Sequence, residues 1–442
     1  MAHWGMEDVQ ACFGDTADLN TRQITVGGQR LGLLFLDGLT SGGDIAEQVL
    51  KPLMETVTPG SIQEVLTQAE RARVYCAVAE RTQDPAQTVD KLLHGYCAVI
   101  FPGTDTALCF ETKTSARRGP SAPESENTVK GAKDAFTETM RINTSLLRRH
   151  LRSAQLRFVQ KTVGLRSQTA VTVCFLADLT DPALVRRMEQ RLAAIDIDGM
   201  LTPASVEEYV TGSRKTAFPL LQYTERPDTA SACLLEGKVV ILVDNSPSAM
   251  ILPTSVFDMI EEANDYYFPT LTSVYLKISR TLINLMTIFL TPVFLLFMQN
   301  PNWLPKVFAF VAVKDTVNIP LIYQLLMLEA AIDGLRLAAL NTPSMLSTPL
   351  SVIAGLVMGE FSVESGWFNA EVMLYMAFVA VANYTQPNFE LGYALKFMRL
   401  ALLILTALFN GWGFVMGCVL VVCSICFNKT LSGRSYLHVS LK

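Results

Sequence analysis

The sequence predicts an α/β soluble region of two related strand-helix-helix-hairpin subdomains, followed by an all-α polytopic membrane domain. Three observations predict this class: an apolar C-terminal third, a front part of ordinary soluble composition, and a pattern that repeats within that front part. Thr281–Met298 runs without a charge, nearly long enough to cross the hydrocarbon core of a bilayer. Leu400–Phe427 is a second uncharged stretch. Helices apolar on every face are not solvated by water, so these are read as membrane segments.

The average composition, 50% hydrophobic and 17% charged, blends two unlike regions. From Thr281 onward there are 8 Lys/Arg and 7 Asp/Glu, so of the 36 basic and 41 acidic residues the front carries 28 and 34. That mildly acidic front offers no basic surface for nucleic acid. Met1–Val9 has neither a basic flank nor an apolar core, so no signal peptide is expected and the front is expected in the cytosol. Lys277 and Arg280 precede the first apolar run, while Lys429, Arg434 and Lys442 follow the last. The positive-inside bias then puts both ends in the cytosol and makes the number of spans even.

Within the front, Arg30–Thr40 reads as a buried strand and Gly43–Met54 as a helix. Ala170–Asp181 and the helix from Pro182 repeat this arrangement, with Asp181 and Pro182 suited to a helix start. Leu92–Leu108 parallels Leu234–Met250: a helix end capped by glycine, a strand, a polar turn and a second strand. The organisation expected is a tail (1–19), a first cytosolic subdomain (20–113), a linker and amphipathic helix (114–159) and a second cytosolic subdomain (160–270). A helical transmembrane domain (271–430) and a cytosolic tail (431–442) complete it. The amphipathic helix carries Arg141, Arg148, Arg149 and Arg152, either as a solvated face paired with nearby acids or as a contact for another subunit or anionic headgroups.

No nucleotide-binding loop, nucleophile elbow or His-Glu-x-x-His motif occurs, and the four histidines are dispersed, so no enzyme is expected. Asp178, Asp181, Asp196 and Asp198 read as turn and cap residues. Of nine cysteines only Cys423 and Cys426 are close, inside an apolar helix, so neither a metal nor a cofactor is predicted.

The membrane region holds the informative polar residues. Glu329, Asp333 and Arg336 fall on one helical face, with Arg336 placed to pair with Asp333. Charges at that depth must face protein or water. They form either a structural ion network or the lining of a hydrated path, and carboxylates lining such a path would attract cations. Asn341–Leu350 has two prolines and reads as a broken or re-entrant segment. Gly355 with Gly359, and Gly413 with Gly417, are candidate helix-packing pairs.

Several motifs carry a resemblance to a known family. They are Lys238-Val-Val-Ile-Leu-Val-Asp-Asn-Ser-Pro-Ser-Ala-Met-Ile-Leu-Pro253, Glu261–Tyr267, Met140–Thr144 with Arg148 and Arg149, Val163–Ser167, Ile195–Gly199 and Thr224–Pro227. Together they resemble the spore germination receptor A-subunit (GerA) family over residues 20 to 435. Ala338–Ser351 and Asn383–Pro387 look most like its stage V sporulation protein AF branch. Lys130–Phe136 departs from the family's Arg-Gly-rich pattern by losing its second glycine, which puts the local turn in doubt.

The resemblance implies a multi-pass protein of the spore inner membrane, its soluble subdomains on the spore core side. It implies a homo-oligomeric, pentameric ion channel that releases monovalent cations in germination and amplifies the response. The implied partners are membrane lipid, further copies of the chain, and a small membrane protein or other germination proteins. The alternative is the A subunit of a nutrient germinant receptor complex. A secondary transporter is less well supported, because no inverted repeat is visible in the membrane region.

Overall fold

The computed structural model describes residues 3–71, 76, 78–114, 123, 126, 128, 130–198, 203–212, 216–314, 317, 319–341, 355, 361–433 and 435–437. The chain forms two compact units, Met1–Arg214 with Leu221–Pro253, and Lys215–Leu220 with Thr254–Lys442. Most of the predicted linker, Gly359 and residues 342–351 lie outside the described residues.

The first unit carries the predicted repeat as two five-stranded antiparallel sheets. One contains β1 (Leu19–Val26), β2 (Gln29–Leu36), β3 (Ala79–Thr82), β4 (Tyr96–Phe101) and β5 (Thr106–Glu111) in the order β1-β2-β4-β5-β3. The other contains β6 (Leu156–Val163), β7 (Thr169–Leu176), β8 (Gln222–Thr224), β9 (Val239–Val243) and β10 (Ala249–Leu252) in the corresponding order β6-β7-β9-β10-β8. Helices α1 (Pro85–Leu93), α2 (Met140–His150), α3 (Pro182–Ala193) and α4 (Pro227–Leu235) cover the sheets. Val89, Leu92 and Leu93 of α1 pack on one face of the first sheet; Ile45, Val49 and Leu53 pack on the other. Leu146, Leu147, Ala230 and Leu234 bring α2 and α4 onto the second sheet. Asp181 caps α3, accepting from the Ala183 amide at 2.8 Å, and Pro182 takes the first turn. Gly95 and Gly237 adopt φ of 87° and 78° after the two hairpin-leading helices, where a side chain would be strained.

Each subdomain differs from the strand-helix-helix-hairpin expectation by two further strands. β1 and β6 pair along the full lengths of β2 and β7, and short β3 and β8 close the opposite edges. The predicted amphipathic helix is shorter than expected, confined to Met140–His150. Arg148 is not on a solvated face. It is fully buried, donating from Nε to Asp18 Oδ2 at 2.9 Å and from Nη2 to Asp18 Oδ1 at 3.0 Å. At the departure from the family pattern, the buried Arg226 donates to the Ala132 carbonyl at 2.8 Å and holds the turn.

In the second unit α5 (Thr270–Gln299), α6 (Leu321–Asn341), α7 (Ala370–Tyr384) and α8 (Phe389–Cys426) are apolar. Two of them, α5 and α8, are long and apolar enough to cross a membrane. Residues 254–270, expected with the second subdomain, belong to this unit. The buried Arg280 of α5 accounts for this, donating to Asp265 at 2.8 Å and to the Ile260 carbonyl at 2.7 Å. The second uncharged stretch does not continue as one straight helix. Asn410 has φ 51° and ψ −132°, and α8 folds back there into two arms. A straight helix would separate Leu402 from Gly417 by about 22 Å. Instead, a Cβ placed on Gly417 would lie 3.2 Å from the Leu402 Cα.

Candidate functional site

The predicted polar face of α6 meets the first arm of α8. The Arg399 Nε donates to Glu329 Oε1 at 2.6 Å, and Nη2 donates to Oε2 at 2.9 Å. Arg399 also donates from Nη1 to the Thr287 carbonyl of α5 at 3.0 Å. One turn along, Lys396 Nζ donates to Asp333 and lies 3.8 Å from Glu329 Oε2. One turn further, the Arg336 guanidinium stacks 4.5 Å from the Phe389 ring centroid and 4.8 Å from that of Tyr393. The rungs ascend α6 while descending α8, as two antiparallel helices require. Arg399 is 0% exposed and Glu329 4%, so their charges are stabilised by each other and by the bidentate geometry. The Asp333 side chain is 39% exposed and is the acid of the ladder that reaches the surface.

Two expectations change here. Arg336 does not pair with Asp333, because α8 places Lys396 opposite that acid and two aromatic rings opposite the guanidinium. Aromatic faces attract such a cation. Glu329 does not point into an open path, since both its oxygens accept from Arg399. Within one chain Glu329, Asp333, Lys396 and Arg399 are linked by ion pairs. The sequence reading missed Lys396 and Arg399. Their signal was available: they are three residues apart in an apolar helix, where unpaired cations are not tolerated.

Other polar ties fix the ends of these helices. Buried Gln324 and Asn369 exchange hydrogen bonds at 2.9 Å, one from side chain to side chain and one from the Asn369 amide. Asn410 donates to Asn300 at 3.2 Å, tying the α8 reversal to the end of α5. Gly413 and Gly417 lie against the first arm of α8, in close approach within one chain. Among the described residues nothing lies within 4 Å of a Cβ placed on Gly355. Among the described residues no cluster of three His, Cys, Asp or Glu could hold a metal.

The comparisons agree with the motifs. The family described as Bacillus/Clostridium GerA spore germination protein matches residues 7–441. Stage V sporulation protein AF of Bacillus subtilis (strain 168) is 34% identical over 420 residues, 95% of this chain and 85% of that one. Spore germination protein KA of the same organism is 26% identical over 93% of this chain and 77% of its own length. Spore germination protein GerLA of Bacillus cereus is 25% identical, covering 98% and 88%. The crystal structure of the N-terminal domain of the A subunit of the Bacillus megaterium spore germinant receptor GerK3 aligns with a TM-score of 0.43 and 23% identity. That alignment covers 55% of this chain and 91% of that domain. With the match spanning nearly every residue, the chain belongs to the GerA family of spore germination proteins.

Proposed function

We propose that this chain is a membrane-embedded subunit that assembles with copies of itself and passes monovalent cations as germination begins. The observation that carries this reading is the charged ladder. Two acids and three bases lie on the meeting faces of helices whose outer sides are apolar. Leu408, Trp412 and Val419, for example, are exposed along α8. Because Glu329 is paired within its own chain, the conducting route runs between subunits rather than through one. Asp333, half exposed beside Lys396, is the acid placed to meet it. The proposal extends to a multi-pass arrangement in the spore inner membrane, with the two-sheet unit on the core side and a small membrane protein as a further partner.

The second reading, the A subunit of a nutrient germinant receptor complex, draws on the likeness to germination proteins KA and GerLA. The higher identity to stage V sporulation protein AF favours the first. The test uses the purified full-length chain in potassium-loaded liposomes, together with its mass in detergent. Potassium efflux from vesicles carrying an assembly of several chains is expected. A monomer that releases no potassium overturns the proposal.

A further inference from the structure

The first half of α5 exposes a stripe that the described residues leave uncovered. Leu271, Tyr275, Ile278, Leu282 and Leu285 are between 48% and 84% exposed. Their spacing alternates four and three residues, the seam of a helix that packs against another by knobs into holes. The positions flanking the seam are Thr272, Val274, Ser279 and Thr281, all small or uncharged, so identical helices meet there without like-charge repulsion. The charges of this segment point elsewhere. Arg280 is buried on Asp265, and Lys277 donates to Glu261 at 2.5 Å.

Lipid is not the natural cover for the start of this stripe. The charge-free run from Thr281 to Met298 alone spans about 27 Å, close to the hydrocarbon thickness of about 30 Å. The turns before Arg280 therefore project beyond the acyl chains, where a row of large apolar side chains facing water is unfavourable.

We propose that the Leu271–Leu285 seam is the surface through which copies of this chain associate, as a parallel bundle of α5 helices around the assembly axis. The inference rests on the reading that the chain assembles with itself, and adds where it does so. A parallel symmetric bundle places each seam residue beside its own copy.

The test is oxidative cross-linking of the full-length chain in membranes, in a background carrying Cys12→Ser and Cys426→Ser. Tyr275→Cys and Ile278→Cys are expected to give disulfide-linked dimers, with yields on the order of tenfold above Ser273→Cys on the flank away from the seam. The substitution Ile278→Asp is expected to lower the mass of the solubilised assembly, while Ile278→Leu preserves it. An assembly of unchanged mass in Ile278→Asp, or equal cross-linking at residues 273, 275 and 278, overturns the seam and leaves self-assembly standing. A monomeric unsubstituted chain overturns both. Absent potassium flux from an intact, cross-linkable assembly overturns only the channel reading.

Discussion

Glu329 and Asp333 sit one turn apart, yet their surroundings assign them different tasks. Removing the charge of Glu329 strands the Arg399 guanidinium, which is wholly buried. Glu329→Gln is therefore expected to destabilise the helical unit by about 3–5 kcal/mol, read as a lower thermal midpoint of the detergent-solubilised protein. Asp333→Asn leaves Lys396 with Glu329 at 3.8 Å and should fold almost as well. If Asp333 meets the ion route, this second variant slows potassium efflux while keeping its midpoint. Unchanged efflux from folded Asp333→Asn would remove that residue from the route. Half of the ladder was legible in the sequence, because Glu329, Asp333 and Arg336 share a helical face by spacing alone. For the other half the sequence shows two cations in an apolar helix, Lys396 and Arg399, but not their partners, because only the packing of α8 on α6 sets them against Asp333 and Glu329.

Secondary elements were legible in proportion to how completely they are buried. β4 and β9 are almost wholly buried and show as continuous apolar runs. β1 exposes four consecutive residues, Asn20 to Gln23, and so presents no apolar run that would mark it as a strand. β3 and β8 are edge strands of four and three residues, too short to show a period. The reversal of α8 was hidden for a different reason. Phe409 and Trp412 flank Asn410 and Gly411, so the apolar run appears unbroken although Asn-Gly is a turn signal. The hairpin depends on its glycines. A Cβ on Gly413 would press into the backbone carbonyl of Leu405, which cannot rotate away. Gly413→Ala should cost about 1–3 kcal/mol of stability in a denaturation series, whereas Gly334→Ala, exposed on α6 with no described atom within 4 Å of a placed Cβ, should not destabilise. Equal tolerance of both substitutions would contradict the close packing of the two arms.

At the scale of the whole chain, the division into two units gives the two-sheet unit its own cores. A fragment of residues 1–253 should fold by itself, since both sheets carry complete apolar clusters. Its thiols supply the readout. Burial pushes the Cys109 thiol up to about 11 and raises those of Cys97 and Cys174 well above the ordinary range. Such protonated, inaccessible groups resist alkylation, while Cys12 is exposed. Mass spectrometry after treatment with iodoacetamide should find Cys12 modified and Cys97, Cys109 and Cys174 protected until denaturant is added. Rapid labelling of all four in the fragment alone would mean that its cores depend on the helices that follow.

The end of the described chain has a mechanical meaning. Tyr436 packs edge-on against Phe218 and donates its hydroxyl proton to the Pro219 carbonyl at 2.8 Å. Residues 217 positions apart are thereby buttoned together. Phe218 also joins the apolar cluster that holds Leu391, Leu395 and Met398 of α8, so the short stretch 216–220 is clasped to the last helix by ring packing as well as by this phenol.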